Sequence, residues 1–456
     1  MNRRNFLKAS SATAMSASML NLGGLIASKN ARAATDEDYK ALVCVFLYGG
    51  MDNHDTVIPF DETSYNQWAQ IRASMLSQYS TSRARNNLLP LSTPARFGER
   101  QFALPPEMTG LSELYSQGKM AIMGNVGPLV EPTNATTFNN QTARVPARLF
   151  SHNDQQSTWM SGTTEGAQVG WAGQLNDALI QNGQTDVNTF SAITTTDGEL
   201  LLTGQQTSPY RIEGSSAVTI DAIEETDAEL SSRLTNHFSM QNSGVGNILQ
   251  QDMANKINQS YAANSLFDQA LSSASDSTAT FPASPIGRQL EAVAKTISAR
   301  SQLQGKRQMF MVAMGGFDTH SGQAQSLPVL QMALDRAVSA FQTAMDSMNL
   351  SQNVTLFTAS DFGRTLAVNG DGTDHGWGAH HFVVGGAVNG GQIFGDIPPS
   401  TLNHELDSGS GRLIPTASVE QYAANFGGWL GLSESELNSV FPNLANFNER
   451  PELFTS

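Results

Sequence analysis

The chain has a single cysteine, Cys44, in 456 residues, which excludes an intrachain disulfide whatever the redox state of its compartment. Cys44 stands between Val43 and Val45 in an apolar run, and it reads as a small buried hydrophobe rather than a displayed thiol. Basic residues are also few. Lys and Arg number 26 against 41 Asp and Glu, for a formal net charge of −15. Five of those 26 (Arg3, Arg4, Lys8, Lys29, Arg32) fall in the first 33 residues, where there is no acid. The rest of the chain therefore carries 21 basic and 41 acidic groups, a net of −20. Such a field does not draw in nucleic acid or an anionic bilayer, so a small anionic ester as substrate needs a local cationic centre such as a bound metal ion. No stretch beyond the N-terminus approaches the ~20 apolar residues of a membrane span. Histidine is scarce as well, at 8 in all, yet His375, His380 and His381 fall within seven positions of one another.

What is present begins with Arg3-Arg4-Asn5-Phe6-Leu7-Lys8, a mildly apolar small-residue stretch to Ala27, and Ala31-Arg32-Ala33. This is the form of a twin-arginine export signal occupying residues 1–33, which predicts the twin-arginine translocase as a partner and a periplasmic or secreted mature protein. Ala41 to Leu47, Lys119 to Asn125, Gln308 to Met314 and Val354 to Ala359 are continuous apolar runs suited to strands buried on both faces. Ile286 to Ala299 and Leu327 to Met348 repeat apolar residues at helical spacing. The alternation predicts an α/β fold with a mostly parallel sheet, helices on both faces and function beyond the carboxyl ends of the strands. Residues 34–182 and 285–456 form the two parts of that domain. Residues 183–284, rich in Ser, Thr, Asn and Gln, read as an inserted cap, and Gly127 to Pro146 as a long loop near the site. Ser418 to Phe441 reads as a helix, a turn at Gly427 to Leu432 and a second short helix capped by Ser433.

Four segments offer metal-ligand chemistry where strands end. Gly49-Gly50-Met51-Asp52 follows the first. Gly315-Gly316-Phe317-Asp318-Thr319-His320 sets a carboxylate two residues from an imidazole. Ser360-Asp361-Phe362-Gly363-Arg364 adds a carboxylate and a guanidinium able to fork onto an anion. Asp374-His375 precedes the vicinal pair His380-His381, whose side chains point to opposite faces if they enter a strand. Each has a plain alternative, as a turn cap, an ion pair or a core histidine. Jointly, carboxylates and imidazoles at successive strand ends suit one or two divalent ions, Zn²⁺, Mn²⁺ or a harder ion such as Mg²⁺ or Ca²⁺. Ser151, at the predicted start of a helix, has a hydroxyl for nucleophilic attack or for plain capping.

Together these residues resemble the DUF1501 family of bacterial proteins, itself similar to a distant branch of the alkaline phosphatase and sulfatase superfamily. The resemblance rests on the twin-arginine start, Gly49-Gly50-x-Asp52, Ser151-His152, Gly170-Trp171-x-Gly173, Gly316 to His320, Ser360 to Thr365, Asp374-His375-Gly376 and Gly385-Gly386. It implies a doubly wound, alkaline phosphatase-like fold and a two-metal hydrolase site. By that resemblance Asp52, Asp318 with His320, and Asp361 would be metal ligands, with His375, His380 or His381 in the place of the last histidine; Asp374 is a further candidate from its position beside His375. On the residues themselves, Ser151 or a neighbouring hydroxyl would attack and Arg364 would steady the developing charge. Phe362 stands where the superfamily has a ligand histidine, and Cys44 lacks the Pro and Arg that follow a formylglycine-forming residue. The expectation is an exported, metal-dependent hydrolase of phosphate, less readily sulfate, esters. Its rivals are a secreted metal-binding or assembly protein with a degenerate site, and a metal-free hydrolase using two carboxylates.

Overall fold

The computed structural model describes residues 38–218 and 248–454 except 276, with isolated positions between 219 and 247. The twin-arginine segment, residues 1–33, lies outside the described residues. The strands that matter are β1 (Lys40–Leu47), β2 (Met120–Gly127), β3 (Ala192–Thr194), β4 (Tyr210–Glu213), β5 (Ser216–Ala217), β6 (Arg307–Met314), β7 (Val354–Ser360), β8 (Arg364–Asn369), β9 (Gly372–His375), β10 (Ala379–Val384), β11 (Ile393–Gly395) and β12 (Ala417–Ser418). The helices used below are α1 (Glu62–Ile71), α2 (His152–Ser161), α3 (Trp171–Gln181), α4 (Pro285–Ser298), α5 (Gln323–Ser347) and α6 (Val419–Leu430).

One ten-stranded mixed sheet runs in the order β11-β2-β10-β7-β1-β6-β3-β4-β5, with β12 beside β2. The central strands β7, β1, β6 and β3 are parallel, whereas β10 is antiparallel to both its neighbours. Two-residue alternation in β1 explains why both faces are covered. Ala41, Val43, Val45 and Leu47 join a core with Leu290, Val293, Leu334 and Phe341 of α4 and α5. Leu42, Cys44 and Phe46 join one with Trp159, Trp171, Leu175, Tyr422 and Phe426 of α2, α3 and α6. The lone thiol is thus buried in the second core, and burial raises its pKa.

Residues 183–284 do not stand wholly apart as the expected cap, since β3, β4 and β5 extend the central sheet at one edge. The short apolar runs there were too brief to read as strands against their polar surroundings. The helix α6 also runs through the expected turn at Gly427 and Gly428. A Cβ on Gly427 would meet Leu437 at 2.5 Å and Leu175 at 2.9 Å, so this glycine admits a neighbouring helix; the stop comes at Gly431, with φ +115°.

Register decides where function gathers. Leu47 lies level with Met314 of β6 and Ser360 of β7, so the turns after all three strands emerge side by side. The β8–β9 hairpin pairs Arg364 with His375 and folds that histidine back over the same edge.

Candidate metal centre

The turn after β1 is built around what passes over it. Gly49 has φ +113°, and a Cβ there would lie 2.3 Å from the Asp318 amide nitrogen; one on Gly50, φ +89°, would enter the Phe362 ring at 2.6 Å. Both glycines let the Asp318 and Asp361 turns close onto β1. On the far side Thr319 donates to Gln323 Oε1 at 2.9 Å and Thr373 donates to the same atom at 2.7 Å, which ties Asp318-Thr319-His320 to β9 through the start of α5.

Three imidazoles and one carboxylate converge at this edge. His320 Nε2 lies 3.1 Å from Asp318 Oδ1 and 2.9 Å from His375 Nε2, and His375 Nε2 lies 3.2 Å from the same oxygen. His152 Nε2 faces the other oxygen, Oδ2, at 3.4 Å. One donor atom from each of His152, Asp318 and His375 lies within 4.8 Å of the others. Behind the rings, each Nδ1 has a partner that can only accept. For His152 it is Asp361 Oδ2 at 2.6 Å, for His320 Asp374 Oδ1 at 3.2 Å, and for His375 the Phe150 carbonyl at 2.8 Å. Each neutral ring therefore carries its proton on Nδ1 and turns an Nε2 lone pair inward.

Lone pairs 2.9 Å apart repel unless a cation lies between them. His152 Nε2 is buried with no hydrogen-bond partner, and so is the second oxygen of Asp361. This donor set fits a divalent ion of the Zn²⁺ or Mn²⁺ kind, with three imidazoles each oriented from behind. The Asp361 hydrogen bond raises the pKa of His152, against burial, so a proton competes for the same lone pair. Burial lowers that of His375 despite the Phe150 carbonyl. Burial would raise Asp318, but the bond and charge of Arg364 outweigh it and keep the carboxyl below its usual range.

The expected ligands divide accordingly. Asp318, His320 and His375 meet at the centre. Asp374 and Asp361 sit one layer back, Asp374 bonded to His320 and Asn369, Asp361 to His152 and Gln156. Asp52 is corrected to a structural anion. Both its oxygens are forked by Arg72, at 2.5 and 3.0 Å, and they also accept from Gln323 and the His54 amide, so no lone pair is left for an ion. His380 accepts from the Asn125 amide at 2.9 Å and His381 packs between Trp159 and Tyr422; the strand sends them to opposite faces, away from His375. Both are core histidines, with pKa values pushed down by burial.

Arg364 is also reassigned. It is fully buried, and its guanidinium donates to Thr373 Oγ1 and O, Gly49 O and Asp318 Oδ1, so it orients the Asp318 carboxylate and has no free fork for a substrate. The Ser151 hydroxyl donates to Asp154 at 2.9 Å instead of facing the centre. Phe362, where a ligand was missing by resemblance, packs its ring against His152 and His375, at 4.8 and 4.6 Å between centroids.

His152 was the residue the sequence reading passed over in favour of its neighbour Ser151. Its signal was present, as one of 8 histidines and at the first turn of a helix. The Phe150 carbonyl had none, because its direction comes from a left-handed backbone, φ +70°, on a bulky aromatic residue.

The family model described as a protein of unknown function, DUF1501, matches residues 39–410. No curated protein is matched by sequence. Among solved structures, the chain is similar to Ps i-CgsB in complex with k-i-k-neocarrahexaose, with 11% identity over 87% of this chain and 73% of that one and a TM-score of 0.34. It is similar to a bacteroides thetaiotaomicron protein solved in work on the metabolism of multiple glycosaminoglycans, with 10% identity over 87% and 74% and a TM-score of 0.34. A mutant of the alkaline phosphatase PafA shows 11% identity over 73% of this chain and 64% of that one, at a TM-score of 0.27. Likeness this distant transfers no residue roles.

Proposed function

The chain belongs to the DUF1501 family, and we propose that this member is an exported, metal-dependent hydrolase of phosphate esters, with sulfate esters as the lesser alternative. The observation that carries the reading is the convergence of three imidazole Nε2 atoms on the Asp318 carboxylate, each ring held at Nδ1 by an acceptor. Asp318, His320 and His375 would hold the ion, with His152 as fourth donor. When bound, a divalent ion supplies a Lewis acid for an ester oxygen and for water. Asp361 keeps the His152 proton on Nδ1, leaving the Nε2 lone pair available to the ion, and Arg364 keeps Asp318 ionised. In a chain of net charge −15, a bound cation would supply local attraction for an anionic ester. The leader sequence supports export through the twin-arginine route to the periplasm or beyond.

A second reading has its own support. Asp52 is withdrawn into an ion pair, Phe362 adds no ligand, and Ser151 is bonded to Asp154, so a metal-binding protein without turnover fits the same residues. Elemental analysis of the purified mature protein, followed by a panel of aryl phosphate monoesters, diesters and sulfates with Zn²⁺ or Mn²⁺, separates the readings. Bound metal with phosphate ester turnover that disappears in His375→Ala supports the hydrolase. Bound metal with no turnover supports the second reading, and an absence of metal from protein made in metal-replete cells overturns both.

A further inference from the structure

A cavity of about 450 Å³ lies apart from the imidazole edge, between α2, α3, α6 and the segment 128–147. Its walls are largely apolar, with Leu129, Val145, Trp171, Val419 and Phe441 among them. A space of this size takes a compact organic molecule rather than a few waters. One ionisable group faces it. Glu420, in the first turn of α6, accepts from the Asn443 amide at 2.8 Å and from Asn443 Nδ2 at 2.7 Å. Among the described residues no Lys, Arg or His forms an ion pair with it. Gly162, another wall residue, leaves open space on its side: a Cβ there would lie 4.0 Å from Glu420 Oε1 and have no other atom within that distance.

A half-buried carboxylate whose partners are neutral amides, set in an apolar wall, is stabilised most by a cation that brings its own apolar body. Burial raises the pKa of Glu420 against the opposing hydrogen bonds of Asn443, as an acid without a countercharge should behave. We propose that this cavity binds a small amphiphilic amine, its hydrophobic body against Trp171, Val419 and Phe441 and its ammonium group on Glu420. A neutral hydrophobe would leave the carboxylate unpaired, and an anion would be repelled by it. The cavity roof, Val145 to Ala147, leads within three residues to Phe150, whose carbonyl holds His375, so occupant and imidazole cluster share one loop. The inference stands independently of the proposed hydrolase.

Dansylcadaverine, a fluorescent primary amine of suitable bulk, is the probe, titrated into the full mature protein. The expected result is saturable, blue-shifted fluorescence that weakens at least tenfold in Glu420→Gln, whose side chain can still accept from Asn443. Gln174→Phe, which fills the cavity from α3, should abolish it. The N-acetylated, uncharged probe should bind the wild type and Glu420→Gln with the same weak affinity, and thermal unfolding should show both variants folded. No saturable signal with the wild type, equal affinity for Glu420→Gln, or equal binding of the acetylated and free amines would each overturn the proposal.

Discussion

Replacing Asp52 by Asn tests the reassignment of a carboxylate expected to bind metal. Its side chain and that of Arg72 are wholly buried and joined by two hydrogen bonds, at 2.5 and 3.0 Å. Taking both ions from water is costly, so the pair's net worth is modest, but removing one partner strands the other charge. Arg72 retains the carbonyls of Thr365 at 2.8 Å and Leu366 at 3.2 Å, which spread some of that charge. The loss should therefore lie near the lower end of the about 3 to 5 kcal/mol seen when such pairs are broken. Equilibrium urea unfolding measures it, provided the transition is reversible. Replacing both residues by apolar ones of similar size should recover much of the loss, because no isolated charge remains. Metal affinity, measured by competition with a chromogenic chelator on folded protein, should change less than about twofold, a difference below roughly 0.4 kcal/mol. A folded Asp52→Asn protein that keeps its stability and loses its metal would refute the reasoning and restore the ligand role.

Asp374→Ala should weaken Zn²⁺ binding about 10- to 100-fold without unfolding the protein, since it removes the acceptor that fixes the His320 tautomer; unchanged affinity would mean His320 is not a ligand. Ser151→Ala should leave ester turnover within a few-fold of wild type and cost at most about 1 kcal/mol of stability. Loss of turnover in that folded variant would make the hydroxyl the nucleophile after all. Burial holds His381 down at about 3, whereas an unfolded histidine titrates near its ordinary value of 6.5. Between those values the unfolded chain binds the extra proton, so stability falls as pH drops, by about 1.4 kcal/mol per pH unit for this group. His381→Phe should flatten the urea-midpoint profile across that window by this amount, and a parallel profile would show that the ring is not held neutral.

Much of the fold was open to reading. The four core strands and the two long amphipathic helices on one face were foreseen within a few residues, because runs such as Leu42 to Leu47 are apolar on both faces and admit no other placement. Short strands such as Ala192–Thr194 were missed, since three residues fix no periodicity and their identity comes from pairing with Met309 to Met311. At the site, Asp318, His320 and His375 were expected to gather, and their side chains do meet at one edge of the sheet. Asp52 and Arg364 were foreseen as functional but are turned inward by Arg72 and Asp318, residues up to 46 positions away whose approach leaves no local trace.

The order of apolar runs and glycines fixed, without coordinates, an α/β layout whose functional edge lies beyond β1, β6 and β7, because burial on two faces and sharp turns are local demands of composition. Which donors face inward was settled only by tertiary packing. A carboxylate is a ligand or a counterion according to whether a guanidinium reaches it first, and a histidine offers Nε2 only when something behind it holds Nδ1. Both conditions depend on partners from distant strands and loops, set by register and by a backbone carbonyl whose direction no residue type encodes.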